Sequence, residues 1–122
     1  MTQAAPKLSQ RTPEEVFGHH VQALGAEDIN GILMDYAETS RVIMPSGVSQ
    51  GKAAISKVFT DLISTVPKAQ WNIKTTFVDN ILFLEWTADS APASVSDGVD
   101  TFIFKDGMIE VQTIRYTAVP KK

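Results

Sequence analysis

The sequence predicts an α+β domain, with three helices in the first half followed by an antiparallel meander. Three observations carry the prediction. Apolar residues recur at steps of three and four up to Pro67, then at steps of two from Trp71 onward. The two regimes are segregated rather than interleaved, which argues against parallel βαβ units. The length of 122 residues supports one hydrophobic core and no second.

Residues 1–11 are polar and broken by Pro6, so they read as a flexible N-terminal arm, and a single domain is expected over 12–119. Thr12-Pro13-Glu14-Glu15 supplies a capping hydroxyl, a proline at the first helical position and a carboxylate three residues after the cap. The helix it starts runs to about Leu24, with Val16, Phe17, His20 and Leu24 on one stripe. His20 is therefore expected to point inward, and His19, rotated by about 100°, toward solvent. Gly25 ends this helix, and Asp28 caps a second that carries Ile29, Ile32, Leu33 and Tyr36. A brief strand at 41–44 stops at Pro45-Ser46-Gly47. Gly51 opens a third helix, with Ile55, Val58, Phe59, Leu62 and Ile63 at helical spacing until Pro67.

The meander starts with Trp71, Ile73, Thr75 and Phe77 on one strand face and turns at Asp79-Asn80. Strands are expected at 81–91, 99–104 and 108–119, with a loop over 92–98 and a tight turn at Lys105-Asp106-Gly107. Alternation puts Asp100, Phe102 and Phe104, with Gln112, Ile114 and Tyr116, on the concave side. The opposite sets, Val99, Thr101, Ile103 and Val111, Thr113, Arg115, are half apolar, more than a solvated face needs. That predicts a homodimer through the convex sheet face, with Arg115 at the interface.

Composition removes several functional classes. The chain has no cysteine, hence no disulfide, thiolate metal site or thiol nucleophile. Its net charge is -3, with no basic run beyond Lys121-Lys122, so nucleic acid is not an expected partner. A signal-peptide core and any stretch of roughly 18 apolar residues are both lacking, which makes a cytoplasmic protein without membrane contact the expectation. Adjacent His19 and His20 point to different sides of a helix, so no metal site is expected. Glycine-rich phosphate loops, GxSxG elbows and dinucleotide fingerprints are missing too, and the expectation is a cofactor-free protein.

The chain resembles the nuclear transport factor 2-like superfamily, in particular its SnoaL-like and ketosteroid isomerase-like branch. The resemblance spans about 12–118 and rests on HVQALGAEDINGILMDYA at 20–37, MPSG at 44–47, QGKAAI at 50–55 and DTFIFKDGMIEVQTIRYT at 100–117. It implies a cone-shaped half-barrel of curved sheet packed on three N-terminal helices around a pocket, dimerising through the outer sheet face. It also implies that the oxyanion-hole tyrosine of ketosteroid isomerase falls at His20, its oxyanion-hole acid at Asp100 and its proton-abstracting carboxylate at Met44. A thioether takes no proton from carbon, so the usual base is missing.

His20 and Asp100, expected side by side at the pocket floor, are the candidate catalytic residues. Either Asp100 orients His20 as general base, or Asp100 is the acid–base group and His20 donates to an oxyanion. Tyr36, Met44, Trp86, Phe102, Gln112 and Tyr116 are the candidate ligand contacts, while Trp71 closes the mouth or packs under the third helix. Gln112 alternatively bonds a neighbouring strand. The expected function is proton transfer on a hydrophobic carbonyl compound by an isomerase, cyclase or dehydratase. The alternative is a noncatalytic ligand-binding or dimerisation domain with the same fold, in which His20 and Asp100 are a mutually satisfied pair.

Overall fold

The computed structural model describes residues 8–122. Its elements are α1 (Pro13–Gly25), α2 (Ile29–Leu33), β1 (Tyr36–Met44), β2 (Gly47–Gln50), α3 (Lys52–Thr65), β3 (Gln70–Val78), β4 (Ile81–Asp89), β5 (Ala93–Lys105), β6 (Met108–Arg115) and β7 (Ala118–Pro120). The seven strands form one sheet in the order β2-β1-β6-β5-β4-β3, and β7 pairs with β5. β3 to β6 make the expected antiparallel meander, while β1 joins β6 in parallel. Register shifts between Tyr36 and Arg41, between Trp86 and Ala88, and between Ile103 and Phe104 add residues to one strand of a pair. Such bulges bend a sheet and increase its twist, and here the unclosed sheet curves over the helices.

The start of α1 follows its local sequence. The Thr12 hydroxyl accepts from the Glu15 amide at 3.1 Å, and the Glu15 carboxylate accepts from the Thr12 amide at 2.8 Å. The helix buries Val16, Phe17, His20 and Ala23. Asp28 caps α2 through the Gly31 amide, and α3 buries Ile55, Phe59 and Leu62. These side chains meet Tyr36, Leu82, Phe102, Phe104 and Ile109 from the concave side of the sheet.

Three sequence-based expectations change. Tyr36 is the first residue of β1 rather than the last of the second helix, because Met34 ends α2 and Tyr36 pairs with Ile109. The strand expected at 41–44 is nine residues long, and the turn after it leads into β2. The supposed loop at 92–98 is the first half of a thirteen-residue β5, in which Ala93 and Val95 are buried between β4 and β7. Its Ser and Asp content resembles a loop, yet pairing on both sides holds it extended.

The N-terminal arm is described only in part. Residues 1–7 of it lie outside the described residues, but Leu8–Gln10 form a 3-10 turn against Gly107. A Cβ at Gly107 would lie 1.7 Å from the Leu8 carbonyl oxygen, so the close approach requires glycine there. Arg11 then donates from Nη1 to Asp35 at 2.8 Å and from Nη2 to the Gly107 carbonyl at 2.8 Å.

Candidate functional site

A cavity of about 130 Å³ lies between α1, α3 and the concave face of the sheet. Its floor and inner walls are buried side chains, with Asp100, Gln112, Trp86 and Leu84 from the sheet and His20, Phe17 and Phe59 from the helices. Half-buried Val21, Leu24 and Trp71, with exposed Gly25 and Ile73, also line it, so it opens between the end of α1 and β3. Ile73 is on the same sheet side as its partner Trp86, yet it is 46% exposed because no helix covers it.

Asp100 is buried without a cationic partner among the described residues. Its Oδ1 accepts from the indole Nε1–H of Trp86 at 2.9 Å, and its Oδ2 accepts from the Gln112 amide nitrogen at 2.9 Å. The Gln112 oxygen accepts in turn from the Tyr36 hydroxyl. Since a carboxylate needs donors, this chain of bonds orients the amide: nitrogen toward Asp100, oxygen toward Tyr36. The reach of Trp86 depends on its cross-strand partner, Gly98. A Cβ at position 98 would come within 2.2 Å of the indole ring, so only glycine lets the ring lie across β5 to Asp100.

His20 is enclosed by the rings of Phe17, Tyr36, Phe59 and Phe102, with centroids 5.5–6.3 Å away. Its Nδ1 is buried with no hydrogen-bond partner among the described residues. No hydrogen bond joins it to Asp100, whose two oxygens bond Trp86 and Gln112 instead. The mutually satisfied pair envisaged from the sequence is therefore absent, although both residues line the same cavity. Burial moves their protonation in opposite directions. Loss of hydration raises the Asp100 carboxyl to about 6, against the opposing hydrogen bonds from Trp86 and Gln112. The same effect lowers the His20 imidazole to about 4, although the negative charge of Asp35 favours its cation. At neutral pH the site thus holds a carboxylate of raised basicity and a neutral imidazole. Burial and the nearby carboxylates Asp100 and Asp35 push the Tyr36 phenol far upward, so it stays a neutral donor.

Of the sequence-predicted contacts, Trp86 and Gln112 line the cavity beside His20 and Asp100, and Trp71 stands at its mouth. Tyr36 and Phe102 are fully buried behind the lining, and Tyr36 reaches the site only through Gln112. Met44 and Tyr116 open instead onto a separate groove with Lys57, Val58 and Asp61, between α3 and the β1–β2 hairpin. Met44 is displaced from the cavity because β1 meets the meander only through β6, two strands away from Trp86 on β4. The sequence reading missed the walls supplied by Val21, Phe59, Leu62, Leu84 and Ile114. Apolar periodicity marked Phe59, Leu62 and Ile114 as inward-facing, but periodicity does not separate core from cavity wall.

His19 also differs from its solvated expectation. Its Nδ1 lies 2.8 Å from Asp35 Oδ2, and Arg11 holds the other oxygen of that fully buried carboxylate. None of the three lines the cavity. They tie the segment before α1 to the start of β1 and the β5–β6 turn. Among the described residues, no group of three or more His, Asp or Glu side chains is arranged to hold a metal ion, and no helix is long and apolar enough to cross a membrane.

A curved, unclosed sheet wrapped on three helices around an apolar cavity defines the cone fold of NTF2-like proteins. Residues 17–112 match the SnoaL-like domain, and the chain belongs to that family. No curated protein matches the sequence. Among solved structures, an NTF2-like protein of unknown function from Cytophaga hutchinsonii is 14% identical with a TM-score of 0.71, covering 88% of this chain and 92% of its own. A proposed ketosteroid isomerase from Kribbella flavida is 12% identical with a TM-score of 0.72, covering 90% and 81%. IdmH, a proposed polyketide cyclase from Streptomyces antibioticus, is 9% identical with a TM-score of 0.72, covering 87% and 92%. At these identities the likeness is one of fold.

Proposed function

We propose that this chain binds a hydrophobic carbonyl compound in the cavity and moves a proton on it without a cofactor, with Asp100 as the acid–base group. The observation that carries this is a buried carboxylate facing an apolar cavity, held by two neutral donors and neutralised by no cation among the described residues. A group titrating near 6 is mostly ionised at pH 7 yet more basic than a solvated aspartate. It takes a proton from the carbon next to the carbonyl, and the C–H electron pair moves into an enolate. The proton then returns to the same or a conjugated carbon. His20, neutral at this pH, donates its N–H to the enolate oxygen, as a preorganised donor in a dry site does. Isomerisation, cyclisation and dehydration all begin from such an enolate.

This reading favours Asp100 over His20 as base, because His20 lacks the carboxylate bond that would raise its basicity. The experiment is deuterium incorporation from D2O at the α-carbon of cyclic ketones and enones, followed by proton NMR. Exchange above the buffer rate that is lost in Asp100→Asn and reduced in His20→Phe, both folded, supports the proposal. Exchange at the buffer rate with wild-type protein refutes it. A second reading, a noncatalytic binding domain, is favoured by the partners both Asp100 oxygens already have. It predicts ligand binding without exchange.

The convex face supports a further part of the reading, a homodimer. Val78, Ile81, Ile103 and Val111 stand in register across four strands, with Phe83 beside them. Val78, Ile81 and Phe83 are exposed, at 59%, 39% and 44%. A twofold contact between two copies of such a stripe is self-complementary and removes it from water.

A further inference from the structure

Size and rigidity of the cavity restrict what it can enclose, and this inference rests on the cavity being the binding site of the proposed function. At about 130 Å³ it is close to an engineered apolar cavity of roughly 150 Å³ that takes up a single benzene. Its walls have little room to retreat. Trp86 already lies against the backbone of Gly98, where even a methyl group has no space. Behind the floor, Gln112 is bonded on both sides, to Asp100 and to the fully buried Tyr36. Phe59, Leu62, Leu84 and Ile114 are themselves buried. Only the mouth, between Val21 and Leu24 on one side and Trp71 and Ile73 on the other, gives onto solvent.

Along this lining the polar groups are few. Asp100 offers acceptor oxygens, and His20 is an imidazole whose Nδ1 has no partner among the described residues. The unpartnered imidazole calls for a ligand oxygen, while the Asp100 oxygens, already held by Trp86 and Gln112, keep second lone pairs that an acidic hydrogen can face. Aromatic and aliphatic side chains make up the remainder. We propose that the ligand enclosed here is a monocyclic six-membered ketone or enone, and that fused-ring ketones are excluded by volume.

The chain's only two tryptophans, Trp71 and Trp86, both line the cavity, with ring centroids 5.5 Å apart. Their two indole N–H resonances in 15N-labelled protein therefore report occupancy. Cyclohex-2-en-1-one and the fused bicyclic 1-decalone are titrated separately into wild-type protein. Burial of apolar area alone ranks decalone as the tighter ligand. Exclusion by volume reverses that order, and cyclohexenone should saturate the shifts of both indoles with at least tenfold tighter binding. Equal or tighter binding of decalone overturns the proposal, as does the absence of a saturable shift with cyclohexenone. Saturable cyclohexenone binding without deuterium exchange leaves the size restriction standing and refutes proton transfer, so the two failures are distinguishable.

Discussion

Burial acts on Asp100 and His20 in opposite senses, so their contributions to folding stability should nearly cancel in the wild-type protein and reappear when either is removed. The Asp100 carboxyl rises from 3.8 in the unfolded chain to about 6 in the fold. The folded state therefore holds this proton more tightly. The resulting stability is fully present below 3.8 and is lost as pH rises through about 6, a swing of about 3 kcal/mol. His20 falls from 6.5 to about 4, so the fold resists its protonation. Its contribution is fully present above 6.5 and is lost as pH falls toward 4, again about 3 kcal/mol.

Between pH 7.5 and 4 the wild-type protein should thus show a change of only about 1 kcal/mol from the pair. Asp100→Asn leaves His20 uncompensated, and acidification over that range should cost it about 2–3 kcal/mol relative to wild type. His20→Phe, which adds a ring to an already aromatic surrounding, leaves Asp100 uncompensated and should gain a similar amount on acidification. Urea unfolding at half-unit pH steps, followed by tryptophan fluorescence, measures all three curves. The exposed carboxylates Glu15 and Asp97 are common to the three proteins and drop out of the differences. Parallel profiles in the three proteins would refute the opposed-burial argument.

Four other outcomes are expected. Tyr36→Phe removes the donor to the buried Gln112 oxygen and should destabilise the fold by about 1–3 kcal/mol in urea unfolding, with the m-value unchanged. Gly98→Ala forces the Trp86 ring from Asp100; the indole N–H resonance of Trp86 should then lose its pH dependence near 6, with about 1–3 kcal/mol of stability lost. Arg11→Ala strips the fully buried Asp35 of its guanidinium, leaving His19 beside it, and should cost about 1–3 kcal/mol, seen as a lowered urea midpoint. Phe83→Lys places a charge in the convex apolar stripe and should convert a dimer to a monomer in sedimentation equilibrium, while deuterium exchange, read from the opposite face, persists.

Much of the architecture is written locally. The capping box at Thr12, the change from helical to alternating spacing after Pro67 and the turns at Asp79-Asn80 and Asp106-Gly107 each act within a few residues. For that reason the α1 start and the β3–β4 and β5–β6 turns stand where the sequence predicts them. Alternation likewise assigned Asp100, Phe102, Gln112 and Ile114 to the concave face, and all four are buried. Where the reading failed, the deciding contact is distant in sequence. Ala93–Val95 become strand because β7 pairs with them from more than twenty residues away. His19 and Arg11 are drawn inward by Asp35, and Gly98 has its role only because Trp86 is its partner.

The sequence by itself determined the three helices, the order of the meander strands and the inward set Asp100, Phe102, Gln112 and Ile114, because periodicity, capping and turn chemistry are properties of neighbouring residues. Only the tertiary structure decided that Asp100 bonds Trp86 and Gln112 rather than His20, that Met44 opens onto a different groove, and that a cavity of about 130 Å³ remains beside His20 and Asp100. Those outcomes depend on strand register and on which side chains fill the space across the sheet. Both are set by the packing of the whole chain, and no local pattern encodes them.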